Sequence, residues 1–302
     1  MGALDSFFIL KSLSLYQFGV YQLFLSGYAT LSDFFHDVFA EVAGNDLQRF
    51  VGEDKEAAAK KLFLEYAAFR MIMGVIPWAI VMAGASLFSD RYGPDAILWA
   101  RILSFLFLID AAMNVSLLLL KLRLEFRLLA LLPTVEKIIQ FILLGYFFFF
   151  SHLGIREIFA AQVVSSLLIL FLTAPWLARA FRPWRIIAAR RGMMLPAIVR
   201  SYGKWALPRS LLTDFNGRVR PWIIKLFLST EAGGVFGVAY TFISLVKDLL
   251  PTRTLTMLVP RKVHDKPYKD FLFVYGTKYY LLLSIILSTC AAVAVPAAVF
   301  VT

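Results

Sequence analysis

The chain has 302 residues, is 60% hydrophobic and 16% aromatic, and carries a net charge of +11. Soluble domains are about 45–50% apolar, so the excess argues against an ordinary soluble fold. The basic balance suggests nucleic acid as a partner, but the cations lie in separate connections between apolar runs rather than in one patch, which argues against that too.

A run of about 20 apolar residues spans a bilayer. Eight such spans are predicted, at roughly 15–43, 62–88, 95–120, 128–150, 157–180, 203–228, 234–259 and 270–300. The expected fold class is all-α: a polytopic transmembrane helical bundle of eight spans. The first span opens on Phe18-Gly19-Val20-Tyr21 and carries Asp33, His36 and Asp37 past its middle. His36, with an ordinary pKa of about 6.5, is suited to relaying protons or to packing between helices. A basic loop, Arg49 to Lys61, follows. In the second span Arg70 is expected to snorkel to the cytoplasmic edge. In the third, Asp110 and Asn114 stand one turn apart.

The longest connection, Arg179 to Arg200, contains six arginines with Pro183, Gly192 and Pro196. It divides the chain into an N-terminal lobe of five spans (1–180), a basic cytoplasmic linker (181–200) and the start of a C-terminal lobe of three spans (201–302). The sixth span is the most polar, with Arg209, Asp214, Asn216, Arg218, Arg220 and Lys225. A charge at a helix centre costs about 2.5–3.5 kcal/mol on insertion scales, so such groups face a cavity or a partner. Asp214 and Arg218 are spaced to pair, and Pro208, Gly217 and Pro221 are expected to bend the helix. The seventh span opens on Phe236-Gly237-Val238-Ala239-Tyr240 and places Lys247 and Asp248 at its centre. Trp99, Trp176, Trp205 and Trp222 fall near span ends, as an interfacial aromatic belt requires. Cys290 is the single cysteine, so the chain forms no internal disulfide.

Basic and bare connections alternate, which is the positive-inside pattern: basic loops cytoplasmic, bare loops external. The two Phe-Gly-Val motifs each open a span, and each span leads into a basic loop and an aromatic helix start. Six spans separate the copies, an even number, so the lobes are parallel repeats. On this register the first lobe lacks its opening helix and the second stops midway, as in a piece of a protein with about twelve helices.

The chain has no Gly-Lys-Ser/Thr phosphate loop, no His-Glu-x-x-His and no Gly-x-Ser-x-Gly. No catalytic residue, metal site or cofactor is therefore assigned, and an enzyme is not expected. Candidate cavity residues for substrate are Arg218, Arg220, Lys225, Asn216, Arg209 and Lys247. Coupling or pairing candidates are Asp214, Asp248, Asp110, Asp33, Asp37 and His36.

With these residues in view, the chain resembles the polysaccharide (O-antigen type) flippases of the multidrug/oligosaccharidyl-lipid/polysaccharide exporter superfamily. The resemblance rests on Gly234-Val235-Phe236-Gly237-Val238-Ala239-Tyr240, Gln17-Phe18-Gly19-Val20-Tyr21, Val259-Pro260-Arg261 and the loop with Glu53-Asp54-Lys55-Glu56. It implies two helical lobes around a central cavity, opened alternately to either side of the inner membrane. The implied substrate is a polyprenyl-diphosphate-linked oligosaccharide, moved from the cytoplasmic to the external leaflet for surface polysaccharide biosynthesis. Implied partners are that lipid-linked substrate, membrane lipids and polysaccharide assembly proteins. Guanidinium and ammonium groups suit a diphosphate, with Asp214 holding Arg218. Many members carry an aspartate near the position of Arg220, a departure that favours anion handling here. The alternatives are a drug or small-metabolite antiporter of the same superfamily, a membrane enzyme of glycan assembly, and a scaffold that binds the lipid-linked precursor.

Overall fold

A computed structural model describes residues 3–53, 55–123, 125–181, 194–198, 200, 219–249, 278, 281–282 and 285. Among the described residues every regular element is helical. Backbone contacts divide the chain into two units, Leu4–Gly237 and Met1–Ala3 with Val238–Thr302. The contacts described below lie within the first unit.

Helix α1 (Ala3–Ser12) leans on aromatic packing: the Phe8 ring lies 5.3 Å from Phe141 and 5.0 Å from Phe148. Helix α2 (Leu15–Gly52) starts at a capping box. The Ser14 hydroxyl accepts from the Gln17 N–H, and the Gln17 side chain accepts from the Ser14 N–H at 3.0 Å. Two otherwise orphaned donors are satisfied, which fixes the start of the helix just ahead of the first motif. Helix α3 (Glu56–Gly84) continues through a 3-10 turn (Ala85–Phe88) into the short α4 (Ser89–Tyr92). Then come α5 (Asp95–Leu122), α6 (Phe126–Phe150), α7 (Ile155–Phe181) and the single turn α8 (Leu195–Ile198). Helices α9 (Arg220–Phe227) and α10 (Thr230–Leu249) follow.

Four stretches are long and apolar enough to cross a bilayer: Glu56–Tyr92, Asp95–Leu122, Arg127–Phe150 and Ile155–Arg179. They coincide with the second to fifth expected spans. Their outer faces carry exposed Ile72, Ile80, Ile142, Phe150 and Phe171, an apolar surface that lipid covers. The protein is thus an integral, multi-pass membrane protein. The first expected span lies within α2. Gln17, Gln22 and Ser26 dilute its first half and Asp33, Asp37 and Glu41 its second, so it is not one of the four. The sixth span is described only from residue 219 and the seventh to residue 249; most of the eighth lies outside the described residues.

Three local expectations are corrected. The basic loop from Arg49 to Lys61 is mostly helix: α2 runs to Gly52 and α3 begins at Glu56, leaving residues 53–55 as the turn. Lys60 and Lys61 are buried, because the first turns of α3 pack Leu62, Phe63 and Tyr66 against Leu47 of α2 and Leu119 of α5. Lys61 Nζ lies 3.8 Å from Glu65, whose other oxygen accepts the Met194 and Leu195 N–H groups at 2.8 and 2.7 Å. Arg70 is likewise buried, at 4% exposure, and does not snorkel. Pro221 starts a helix instead of bending one, since proline is suited to a first turn whose N–H groups have no intrahelical partner.

Small residues set the closest helix crossings. A Cβ on Gly74 of α3 would stand 2.6 Å from the Ala111 Cβ and 2.8 Å from the Phe107 carbonyl oxygen of α5. The two motif copies also meet. A Cβ on Gly19 would overlap the Thr230 carbonyl oxygen, one on Gly234 would overlap the Leu15 carbonyl oxygen, and one on Gly237 would lie 2.9 Å from the Phe18 ring. In lipid, where apolar side chains gain little by leaving the solvent, such backbone approach is a main source of helix association. The repeat noticed in the sequence is therefore also a contact.

Candidate functional site

The candidate site is built by α2, the end of α3, α4, α5 and the start of α9. Gly93 closes α4 at φ 86°, a left-handed conformation that glycine adopts without a side-chain clash, and its N–H reaches the Ser89 carbonyl at 2.9 Å. Pro94 then opens α5. This tight reversal fixes Tyr92 against Phe24 of α2, with ring centroids 5.8 Å apart. Phe24 also packs against Phe88 at 5.2 Å, Trp99 at 6.2 Å and Phe159 at 6.3 Å. Phe24, against which Tyr92 packs, is thus held by rings from several elements.

On α9, Trp222 and Lys225 are three residues apart and share a face. Lys225 Nζ lies 4.0 Å from the Tyr92 ring centroid and 6.0 Å from that of Trp222. Stacking on ring faces holds an ammonium by about 0.5–2 kcal/mol, depending on how dry it is. Arg91 is within electrostatic reach of Lys225, as a like charge. Among the described residues no carboxylate pairs with Lys225. Beside this cation lies a cavity of about 300 Å³, bordered by Phe24, Gly27, Tyr28, Tyr92, Phe107 and Trp222 among others. Its walls are mainly rings and aliphatic groups. The Tyr28 hydroxyl donates to the Asp110 carboxylate, joining α2 to α5, and the Tyr28 ring packs tilted against Phe107, with centroids 4.7 Å apart.

Of the residues named from the sequence, the structure brings Lys225 and Asp110 to this region. Lys225 stands by Tyr92 and Trp222, and Asp110 is held by Tyr28. Arg220 is exposed in the first turn of α9 and is not one of the cavity residues. Arg209, Asp214, Asn216 and Arg218 lie outside the described residues. Asp33, His36 and Asp37 belong to α2, and Lys247 and Asp248 to α10, but their side chains lie outside the description. Trp222, expected as part of an interfacial belt, borders the cavity.

Tyr92, Tyr28 and Gly27 were not singled out by the sequence. Tyr92 carried one usable signal, its position before Gly93-Pro94 in a bare connection. A second polar contact lies between α6 and α7, where Ser166 Oγ donates to Glu136 at 2.5 Å; within α6 the next residue, Lys137, donates to Gln140 at 2.7 Å. These groups satisfy one another, so the contact reads as helix packing.

No curated protein and no solved structure matches the chain. A family model described as "Polysaccharide biosynthesis protein" matches residues 47–301, a span that begins inside α2 and includes both Tyr92 and Lys225. The chain belongs to this polysaccharide biosynthesis protein family.

Proposed function

We propose that the chain is a flippase that carries a polyprenyl-diphosphate-linked oligosaccharide from the cytoplasmic to the external leaflet of the inner membrane, for surface polysaccharide assembly. The observation that carries the reading is Lys225, a cation seated on Tyr92 and Trp222 beside a cavity, with Arg91 near and no described acid paired to it. Lys225 is partly buried beside a like charge, so in this reading its counter-ion comes with the substrate. A diphosphate offers strong acceptor oxygens to ammonium and guanidinium groups. A cationic drug would meet repulsion at the same place.

In this reading Arg218, four residues before Trp222 in the sequence, adds a second phosphate contact, and the two lobes (1–180 and 201–302, joined by the linker 181–200) open alternately. The chain has no ATP-binding loop, so the drive comes from an ion gradient or from the substrate's own gradient.

The test is reconstitution of the purified chain in vesicles that contain a fluorescent lipid-linked oligosaccharide. Access of an added lectin then reports the leaflet. Wild type should equilibrate the label between leaflets. Lys225→Met should slow this by about tenfold or more, the scale expected for a lost charged hydrogen bond, and Lys225→Arg should keep most of it. Equal rates for Lys225→Met and wild type would remove Lys225 from the mechanism. Tight binding without movement in the wild type would favour a scaffold.

A further inference from the structure

The cavity beside Lys225 has little hydrogen-bonding capacity left. Thr30 Oγ1 donates to the Ser26 carbonyl at 2.8 Å, and Ser104 Oγ donates to the Arg101 carbonyl at 2.7 Å. The Tyr28 hydroxyl donates to Asp110. All three residues border the cavity. Tyr92 differs from these three: its hydroxyl is buried and has no hydrogen-bond partner among the described residues. This is the same ring on which Lys225 sits. One group of residues therefore offers a donor hydroxyl and a cation, while the other walls, such as Leu23, Leu31, Val81 and Leu103, offer hydrocarbon.

A sugar placed here would leave most of its hydroxyls without partners, which is costly in a dry site. A hydrocarbon chain that ends in a phosphate meets both halves of the arrangement. The volume of about 300 Å³ is at the small end of ligand pockets, enough for part of one chain and too small for the two tails of a diacyl lipid.

We infer that this cavity receives the prenyl segment next to the phosphate of the lipid-linked substrate, with the phosphate on Lys225 and the Tyr92 hydroxyl. The inference rests on the flippase reading and deepens it: this part of the protein selects the carrier chain, and the glycan stays outside the cavity. A site that reads the carrier accepts different glycans on the same carrier.

The probe is farnesyl monophosphate bearing a benzophenone tag, photolysed with the purified chain in detergent and mapped by mass spectrometry. Label should fall on cavity peptides of α2 and α5. Filling the cavity with Ala100→Leu should reduce labelling by about tenfold. Enlarging it with Leu31→Ala should shift preference from the 15-carbon probe toward a 20-carbon one, which decides the matter if Ala100→Leu does not fold. Lys225→Met should weaken labelling by the phosphate probe and leave labelling by tagged farnesol unchanged.

Competition by the free oligosaccharide, or equal competition by phosphatidylglycerol, would overturn the assignment. So would labelling indifferent to both cavity variants. The two readings separate cleanly. Labelling that responds to Ala100→Leu, in a protein that moves no oligosaccharide in vesicles, defeats the flippase reading. Normal movement with labelling unchanged in Ala100→Leu defeats the chain site alone.

Discussion

Gly19 and Gly27 lie two turns apart on α2 and meet opposite surroundings. A Cβ on Gly19 would overlap the Thr230 carbonyl oxygen and stand 3.1 Å from the Gly234 nitrogen. A Cβ on Gly27 would meet Trp222 Cζ2 at 3.4 Å, an ordinary van der Waals contact, on the border of the cavity. At the first position glycine is needed because two backbones touch. At the second it is a wall residue beside open space. One helix thus performs two tasks in separate segments: its first turns lock it to the repeat partner, and its next turns enclose a volume.

Substitutions at the two positions should differ in sign. Gly19→Ala should destabilise by about 1–3 kcal/mol, since backbone atoms must move apart to admit the methyl group. Gly27→Ala should stabilise by about 0.5–1 kcal/mol, because alanine loses less entropy in a helix interior than glycine. Thermal unfolding in detergent, followed by circular dichroism, reads both. If both variants lose stability to the same degree, the contrast between locked and open segments is wrong.

A smaller effect sharpens the picture of the cavity floor. Tyr28→Phe removes the hydroxyl that Asp110 accepts and should cost about 0.6 kcal/mol, the average for interhelical hydrogen bonds in membranes. Asp110→Asn tests the same link, and the double variant should lose no more than the larger single loss if the two groups act only on each other. A clearly additive result would mean that Asp110 has a further role.

The smallest effect is expected outside the membrane. The Lys55 ammonium donates to Glu53 at 2.6 Å and holds its carboxyl below the usual glutamate range. A lowered folded-state value means that the contact favours folding above the unfolded pKa and is lost as pH falls through the folded one. Both side chains are exposed, so screening leaves little of it. Glu53→Gln should leave the unfolding midpoint unchanged at neutral pH and in mild acid. A measurable drop would show that this short turn holds α2 to α3.

Much of the helical layout was legible because hydrophobic run length carries it. The four apolar stretches fall where the sequence placed them, and the motif that opens α2 stands directly after its capping box. Charge was less reliable as a guide to exposure. Lys60, Lys61 and Arg70 read as loop or surface groups, yet they are buried, because a long aliphatic stem packs among apolar neighbours and its charged head is served locally. Of the site, the sequence offered Lys225 and Asp110 through a simple argument: a charge in an apolar run needs a reason. It did not offer Tyr28 or Tyr92, because a tyrosine in an apolar run needs none.

The sequence by itself determined that the chain is helical and membrane-embedded, since the bilayer fixes both the length and the polarity of what can cross it. It also disclosed the duplicated motif, since related segments keep their order of turn, span and loop. Only the tertiary structure decided that the two motifs touch through their glycines, and that Lys225 of α9 rests on a tyrosine well over a hundred residues earlier. Those pairings depend on which helix faces are turned toward each other, a property of the packed bundle that no local run of residues encodes.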